Sequence, residues 1–377
     1  MNADSPSEAP PRSSGVDGVA TRMARGAEIF LTVKPLPGER IIETFGRLAV
    51  ALKELDATIV HLMIFGSVNA GAAGTEAMRR IFGGIDWPIT WVEGAACDDR
   101  PIAGMQVFAL AGGEVQRLHA GESVIGSVFE DGAFRHCLLG GLGPDQISSP
   151  RADQTRQTLD HLAEALAQGG FTFAEVIRTW FFLDQMLDWY DEFNQARTRV
   201  YSGIQFRTGS LPASTGIGGR NPAAAALVAG AWAVRPLNGA ARAEEIASPL
   251  QCPAPAYGSS FSRAMEMSSP VGRRLFISGT ASIARDGRTL WREDARKQVA
   301  QTMQVVEAIL QSRGFSLPDL TRATAYFKHR ADVRAFTDWC AADGRFCLPV
   351  VFANCDVCRD ELLFELEADA WQPNHLG

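Results

Sequence analysis

Apolar positions along the chain fall into alternating helical and strand periods. At Asp153–Ala167 and again at Asp294–Ser312 they recur at helical spacing, and each stretch runs to a glycine, Gly170 or Gly314, where a left-handed C-cap belongs. A short acidic turn and a β-rich run follow, Val176–Phe182 in one case and Leu320–Phe327 in the other. A second helix is predicted at Leu187–Tyr201 and at Ala331–Cys340. Each segment closes with two strands, Ala213–Gly218 with Ala226–Arg235, and Pro349–Val357 with Leu362–Trp371. Each also opens with two, Val124–Phe129 with Phe134–Leu139, and Phe261–Met267 with Arg274–Ile283. The order is β-β-α-β-α-β-β.

The two segments are a repeat. A shift of 144 residues places Gln154, Gln157 and Thr158 on Gln298, Gln301 and Thr302, Gly170-Phe171 on Gly314-Phe315, Glu175 on Asp319 and Arg178 on Arg322. A weaker copy precedes them: Arg47–Leu52 resembles His161–Leu166, and Thr58–Phe65, Thr75–Phe82, Ile89–Val92 and Ala103–Ala109 supply the remaining elements. The expected organisation is a disordered tail over 1–26 and three units at 27–113, 114–245 and 246–377. The tail is rich in Ser, Pro and Ala and lacks the apolar stretch of a secretory signal.

Composition narrows the function classes. Apolar residues make up 46% and charged residues 21%, enough to build a core. With 43 acidic against 36 basic residues the net charge is -7, which gives no footprint for nucleic acid or an anionic membrane. No apolar run reaches the roughly 18 residues of a membrane helix. The odd set of cysteines (Cys97, Cys137, Cys252, Cys340, Cys347, Cys355, Cys358) predicts reduced thiols and a cytoplasmic protein.

The unit pattern, with Phe276–Ile283 on one strand and the Glu-x-Glu strand Leu363–Ala368 at the end, resembles the Rid (YjgF/L-PSP) superfamily. The resemblance implies an α+β, chorismate-mutase-like fold. It also implies that three tandem units build within one chain the ring that single-unit members build as trimers, with ligand clefts between units. Tyr257–Ala264, Ser278–Ile283, Asp356–Leu363, Arg178-Thr179-Trp180 and Phe193–Arg197 are similar to chorismatases, over about residues 120–372. That likeness implies hydrolysis of the enolpyruvyl ether of chorismate, or a close analogue, to pyruvate. The ring product would be a dihydroxycyclohexadiene carboxylate or a hydroxybenzoate, of use in secondary metabolism.

Glu365 and Glu367 lie two apart on a predicted strand and so share a face. A desolvated carboxyl keeps its proton near neutrality, as a proton donor must; equally, either glutamate could cap a loop or pair with an arginine. The family likeness assigns the donor role to Glu365. The matching places in the other units, Val107–Ala109 and Val228–Trp232, carry no acid, so one principal cleft is expected. A dicarboxylate substrate requires cations, and the candidates are Arg263, Lys328 and Arg330 of unit three with Arg178 and Arg197 of unit two. Arg263 alternates with Phe261 and Met265, and its partner is either a ligand carboxylate or a protein carboxylate such as Glu266 or Glu293. The repeat equivalence of Arg178 and Arg322 also suits a framework role for both.

Tyr257 either offers its phenol to a ring hydroxyl or carboxylate or is a core aromatic with its hydroxyl at the rim, and Gly279, within Ser278-Gly279-Thr280, marks either a close ligand approach or a bulge. By family likeness Ala281 and Cys358 shape the pocket and separate the two products. Cys355 and Cys358 lack the second Cys/His pair of a zinc site, the six histidines show no ligand spacing, and no phosphate-cradling glycine motif is present. Neither metal nor cofactor is expected. The expected partner is a small carboxylate, bound by a monomeric pseudo-trimer or a further oligomer of it. The alternatives are an imine/enamine deaminase, or a binding protein without turnover. Such deaminases carry an arginine after a Pro-Ala before the penultimate strand, which Pro88-Ile89, Pro212-Ala213-Ser214 and Pro349-Val350 lack.

Overall fold

The computed structural model describes residues 15–23, 26–94, 96, 100–342 and 348–374; Cys97, Cys347, His375 and positions 1–14 of the expected tail lie outside them. The first unit contains β1 (Val16–Arg22), β2 (Ala27–Val33), α1 (Ile41–Glu54), β3 (Ala57–Gly66), α2 (Gly71–Phe82), β4 (Ile89–Val92) and β5 (Ile102–Ala111). The second contains β6 (Gln116–Ala120), β7 (Ser123–Glu130), β8 (Phe134–Leu142), α3 (Arg151–Gln168), β9 (Val176–Leu183), α4 (Tyr190–Tyr201), β10 (Ala213–Gly218) and β11 (Leu227–Pro236). The third contains β12 (Arg242–Ile246), β13 (Ala264–Ser268), β14 (Gly272–Ala281), α5 (Ala295–Ser312), β15 (Leu320–Phe327), α6 (Val333–Ala342), β16 (Val350–Asn354) and β17 (Phe364–Pro373).

The sheet orders are β1-β2-β5-β3-β4, β10-β9-β11-β8-β7-β6 and β12-β13-β14-β17-β15-β16. In each, the last strand of the repeat (β5, β11 or β17) inserts centrally, so the two closing strands do not pair with each other. The penultimate strand instead runs parallel to its predecessor, β4 on β3, β10 on β9 and β16 on β15. Parallel pairing requires a crossover, which α2, α4 and α6 supply.

Two boundaries move. Residues 16–22 of the expected tail form β1, paired along its length with β2, because Val16 buries in the unit core and Met23 in the central core. The expected break at 245/246 cuts through β12, which pairs with β13 and sends Ile246 into the core of unit three. The predicted strand Phe261–Met267 also starts late, at Ala264, so Phe261 and Arg263 precede it while Met265 faces the centre of the molecule.

The repeat is a structural one. Helices α3 and α5 occupy positions offset by 144, and both chains turn at a left-handed glycine, Gly170 or Gly314, each at φ +75°. The buried repeat glutamines perform the same task. Gln154 accepts from the Ala226 N–H and Gln298 from the Leu363 N–H, tying each first helix to the entry of the central strand.

Both faces of each sheet are buried, which is why strands such as Thr58–Phe65 read as nearly continuous apolar runs. One face packs on the unit's helices, through residues such as Leu48 and Met78, Leu162 and Phe193, or Met303 and Phe336. The other faces meet in one central core containing Phe65, Phe108, Trp180, Trp232, Phe276 and Tyr326. Beside it, Glu28 of β2, His136 of β8 and Arg274 of β14 come together with Asp131. Glu28 pairs with Arg274, and His136 lies 3.1 Å from Asp131. Trp232 Nε1 donates to His136 Nδ1 at 3.1 Å, which leaves the imidazole proton on Nε2 facing Asp131. The cluster joins the three units, and the Glu28, Asp131 and His136 ligand atoms lie within 4.8 Å of one another.

Trp232 contacts Phe108, Phe276 and His136 and lies under the Arg274 guanidinium. Trp232→Ala is expected to lower the unfolding free energy by roughly 3–5 kcal/mol in denaturant titration.

Candidate active site

Strand β17 alternates strictly. Phe364, Leu366 and Ala368 face the helices, while Glu365, Glu367 and Asp369 point the other way, and all three acids are buried. Opposite them β14 carries an extra residue: Ile277 pairs with Ala368 and Thr280 with Leu366, so Ser278 and Gly279 together face Glu367. This bulge brings Gly279 against Glu365, where an added Cβ would fall 2.0 Å from Glu365 Oε1. The two readings of Gly279, bulge and close approach, are thus one feature.

The two glutamates have opposite electrostatic fates. Burial works to raise the affinity of Glu367 for a proton, but Arg322, Arg178 and several donors outweigh it and hold the carboxylate below its ordinary range. Oε2 accepts from Arg178 Nη2 at 2.6 Å, Thr215 Oγ1 at 2.6 Å and Trp180 Nε1 at 2.9 Å; Oε1 accepts from Tyr326 at 3.2 Å and Arg322 at 3.4 Å. Glu365 is pushed up to about 8, first by burial and then by repulsion from Glu367, with Arg263 and Arg178 pulling the other way. No hydrogen bond contributes to that balance. Glu365 therefore carries its proton at neutral pH.

A cavity of about 670 Å³ opens between units two and three, bounded by Glu365, Arg263, Tyr257, Ala281, Gly279 and Cys358 on one side. Helix α4 and β10 form the other wall through Tyr190, Asn194, Arg197 and Ser214. Arg263 is buried, donates from Nε to the Cys252 carbonyl at 3.0 Å, and leaves Nη2 without a partner. Its guanidinium lies 5.3 Å from the Tyr257 ring centre and 5.5 Å from that of Phe261. Arg197 is also buried; it donates to Asn194 at 2.7 Å and leaves Nε unpartnered. Among the described residues neither arginine pairs with a carboxylate. Glu266, one expected partner of Arg263, is taken by Arg313 at 2.8 Å. Burial pushes the Tyr257 phenol and the Cys358 thiol up to about 12, so both are neutral donors, and Cys358 is no thiolate nucleophile.

Three expected ligand cations lie elsewhere. Arg178 is fully buried behind the wall, held by Glu367 and Thr215. Lys328 pairs with Asp360 at 2.5 Å outside the cavity, and Arg330 is exposed in the turn before α6. In their place the cavity has Arg359, whose Nη1 donates to the Gly287 carbonyl at 2.7 Å and whose guanidinium lies 5.3 Å from the Tyr257 ring centre. Tyr190 was equally unforeseen, though the spacing of 190, 194 and 197 places it on the helical face of Asn194 and Arg197. Cys355 lies apart from Cys358, facing the Glu93 carbonyl.

At the other two interfaces the described residues pack closely around a glycine. Between units one and two, a Cβ on Gly140 would fall 2.2 Å from His61 Nε2. Between units three and one, Gly104 lies under the Val351 side chain in the same way.

Comparison with known proteins agrees with this architecture. The family model described as Endoribonuclease L-PSP matches residues 253–369. A crystal structure of a chorismatase aligns over 92% of this chain and 99% of its own, at TM-score 0.65 and 19% identity. That alignment reaches beyond residues 120–372 and takes in the first unit, so the shared fold is the whole three-unit ring. Residues 253–369 thus match the L-PSP family model, and over nearly its whole length the chain shares the tandem three-unit fold of that chorismatase structure. The 3-hydroxybenzoate synthase of Streptomyces hygroscopicus is 25% identical over 224 residues, which are 52% of this chain and 64% of that protein. Among the described residues no helix is long and apolar enough to cross a membrane.

Two outcomes follow. Glu367→Gln strips the charge from a fully buried pair and is expected to destabilise by roughly 3–5 kcal/mol, measured by denaturant unfolding. Glu365→Gln should act in the opposite sense. The unfolded carboxyl ionises near 4.5 and the folded one near 8, so the folded state binds more protons between them and wild-type stability falls as pH rises through that window. The variant lacks this loss. Its Tm should match wild type at about pH 4 and exceed it by about pH 8.

Proposed function

We propose that the protein is a chorismatase-like hydrolase acting on the enolpyruvyl ether of chorismate. One observation carries the reading: a buried, protonated Glu365 shares a single cavity with two buried arginines, Arg263 and Arg197, that have no carboxylate partner among the described residues. Chorismate has two carboxylates and an enol ether, and such a site matches both features. The likeness to a 3-hydroxybenzoate synthase supports the same substrate class.

Arg263 and Arg197 anchor the carboxylates through charge-assisted hydrogen bonds, while the Tyr257 phenol and the Cys358 thiol border the ring. Glu365 delivers its proton to the methylene carbon, and the enol ether becomes an oxocarbenium ion. Water adds to the ether-bearing carbon of that ion and returns a proton to the Glu365 carboxylate. The resulting hemiketal breaks its bond to the ring oxygen, giving pyruvate and a dihydroxycyclohexadiene carboxylate. Loss of one water from that diene diol gives a hydroxybenzoate. Ala281 and Cys358 flank the ring where these two outcomes part. No step requires a metal or an organic cofactor.

The test is incubation with chorismate, pyruvate detection, and identification of the ring product by chromatography and mass. Pyruvate should form above the uncatalysed background. Glu365→Gln should lower kcat by about 10²–10⁴-fold while leaving chorismate binding near wild type. Because the donor must be protonated, kcat should fall about tenfold per pH unit above pH 8. Absence of pyruvate from folded wild-type protein would sink the reading.

A further inference from the structure

The bulge that seats Glu365 leaves the Gly279 N–H outside the β14–β17 ladder, and this partly buried amide needs an acceptor. Unit two supplies it: the Gly279 N–H donates to Thr215 Oγ1 at 3.1 Å. The same oxygen accepts from Arg178 Nη2 at 2.7 Å and gives its own proton to Glu367 Oε2 at 2.6 Å. A hydroxyl has one proton and two lone pairs, so Thr215 is fully used. Its Cγ2 also lies 3.3 Å from the point where a Gly279 Cβ would stand, beside the Glu365 carboxyl. The neighbouring residue repeats the tie, as the Ser214 N–H donates to Ser278 Oγ at 2.9 Å. Thr215 itself does not line the cavity.

We infer that Thr215 is a positioning residue: from unit two it locks the β14 bulge of unit three and so fixes the niche in which the Glu365 carboxyl sits. This rests on the reading of Glu365 as the proton donor. A hydroxyl is required and a methyl is not, so valine should fail where serine succeeds. Misplacing a reacting group by about 1 Å can lower turnover by about 10²-fold while the substrate carboxylates stay anchored.

The experiment compares full-length wild type, Thr215→Val and Thr215→Ser. With chorismate, Thr215→Val should lower kcat about 10²-fold and leave KM within about threefold, while Thr215→Ser should stay within about threefold of wild type in both. Amide exchange read by mass spectrometry over residues 276–283 should be faster in Thr215→Val than in the other two. Should the valine variant fail to fold, Thr215→Ala, which leaves space for water at the three polar groups, takes its place. Wild-type kcat in the variant lacking the hydroxyl, or equal impairment in Thr215→Ser, would overturn the inference. If wild type releases no pyruvate, the chorismate reading fails, and exchange alone decides: faster exchange upholds the lock and unchanged exchange removes it.

Discussion

The buried carboxylate of Glu367 is the constraint on which the site depends. A charge with no access to water must be met by donors from every side, and three of its five, Arg178, Trp180 and Thr215, come from the neighbouring unit. The pairing therefore fixes the register of unit two against unit three more sharply than apolar packing could. It brings the α4 wall with Arg197 opposite the β17 wall with Glu365. It also sets the chemistry, because a permanent negative charge two residues away reinforces burial in keeping Glu365 protonated. Stability and reactivity are thus divided between adjacent acids on one strand face.

The three interfaces of the ring are built from equivalent strands but are not equivalent sites. At one, His61 and Thr90 occupy the space beside Gly140; at another, Val351 fills the space over Gly104. The interface of units two and three places the acid Glu365 of its central strand on a cavity of about 670 Å³.

Much of the fold is legible from the residues. Gln154/Gln298, Gly170/Gly314 and Arg178/Arg322 recur because each has the same local duty in both units: holding a strand entry, turning the chain, or facing the central ion network. The members of the site that escaped notice are those whose duty is set across the interface. Tyr190 carries no local signal beyond helical spacing, and Thr215 reads as an ordinary strand residue until Gly279 is placed beside it. Lys328 and Arg330 are sound candidates by charge alone, yet neither borders the cavity, and Lys328 is taken by Asp360. β1 and β12 were missed for a related reason: short strands at sheet edges gain their stability from the neighbour they pair with.

What the amino-acid sequence determines by itself is the repeat, the alternation of faces along β17 and the presence of a paired acid motif in one unit only. These follow from local rules, since helical and strand periods and turn glycines are properties of neighbouring residues. Only the tertiary structure decides which glutamate is charged and which arginines remain unpaired. Proton affinity and ion pairing depend on burial and on groups remote in the chain, such as Arg178 and Glu367, which lie on different units. The cleft exists only where those units meet.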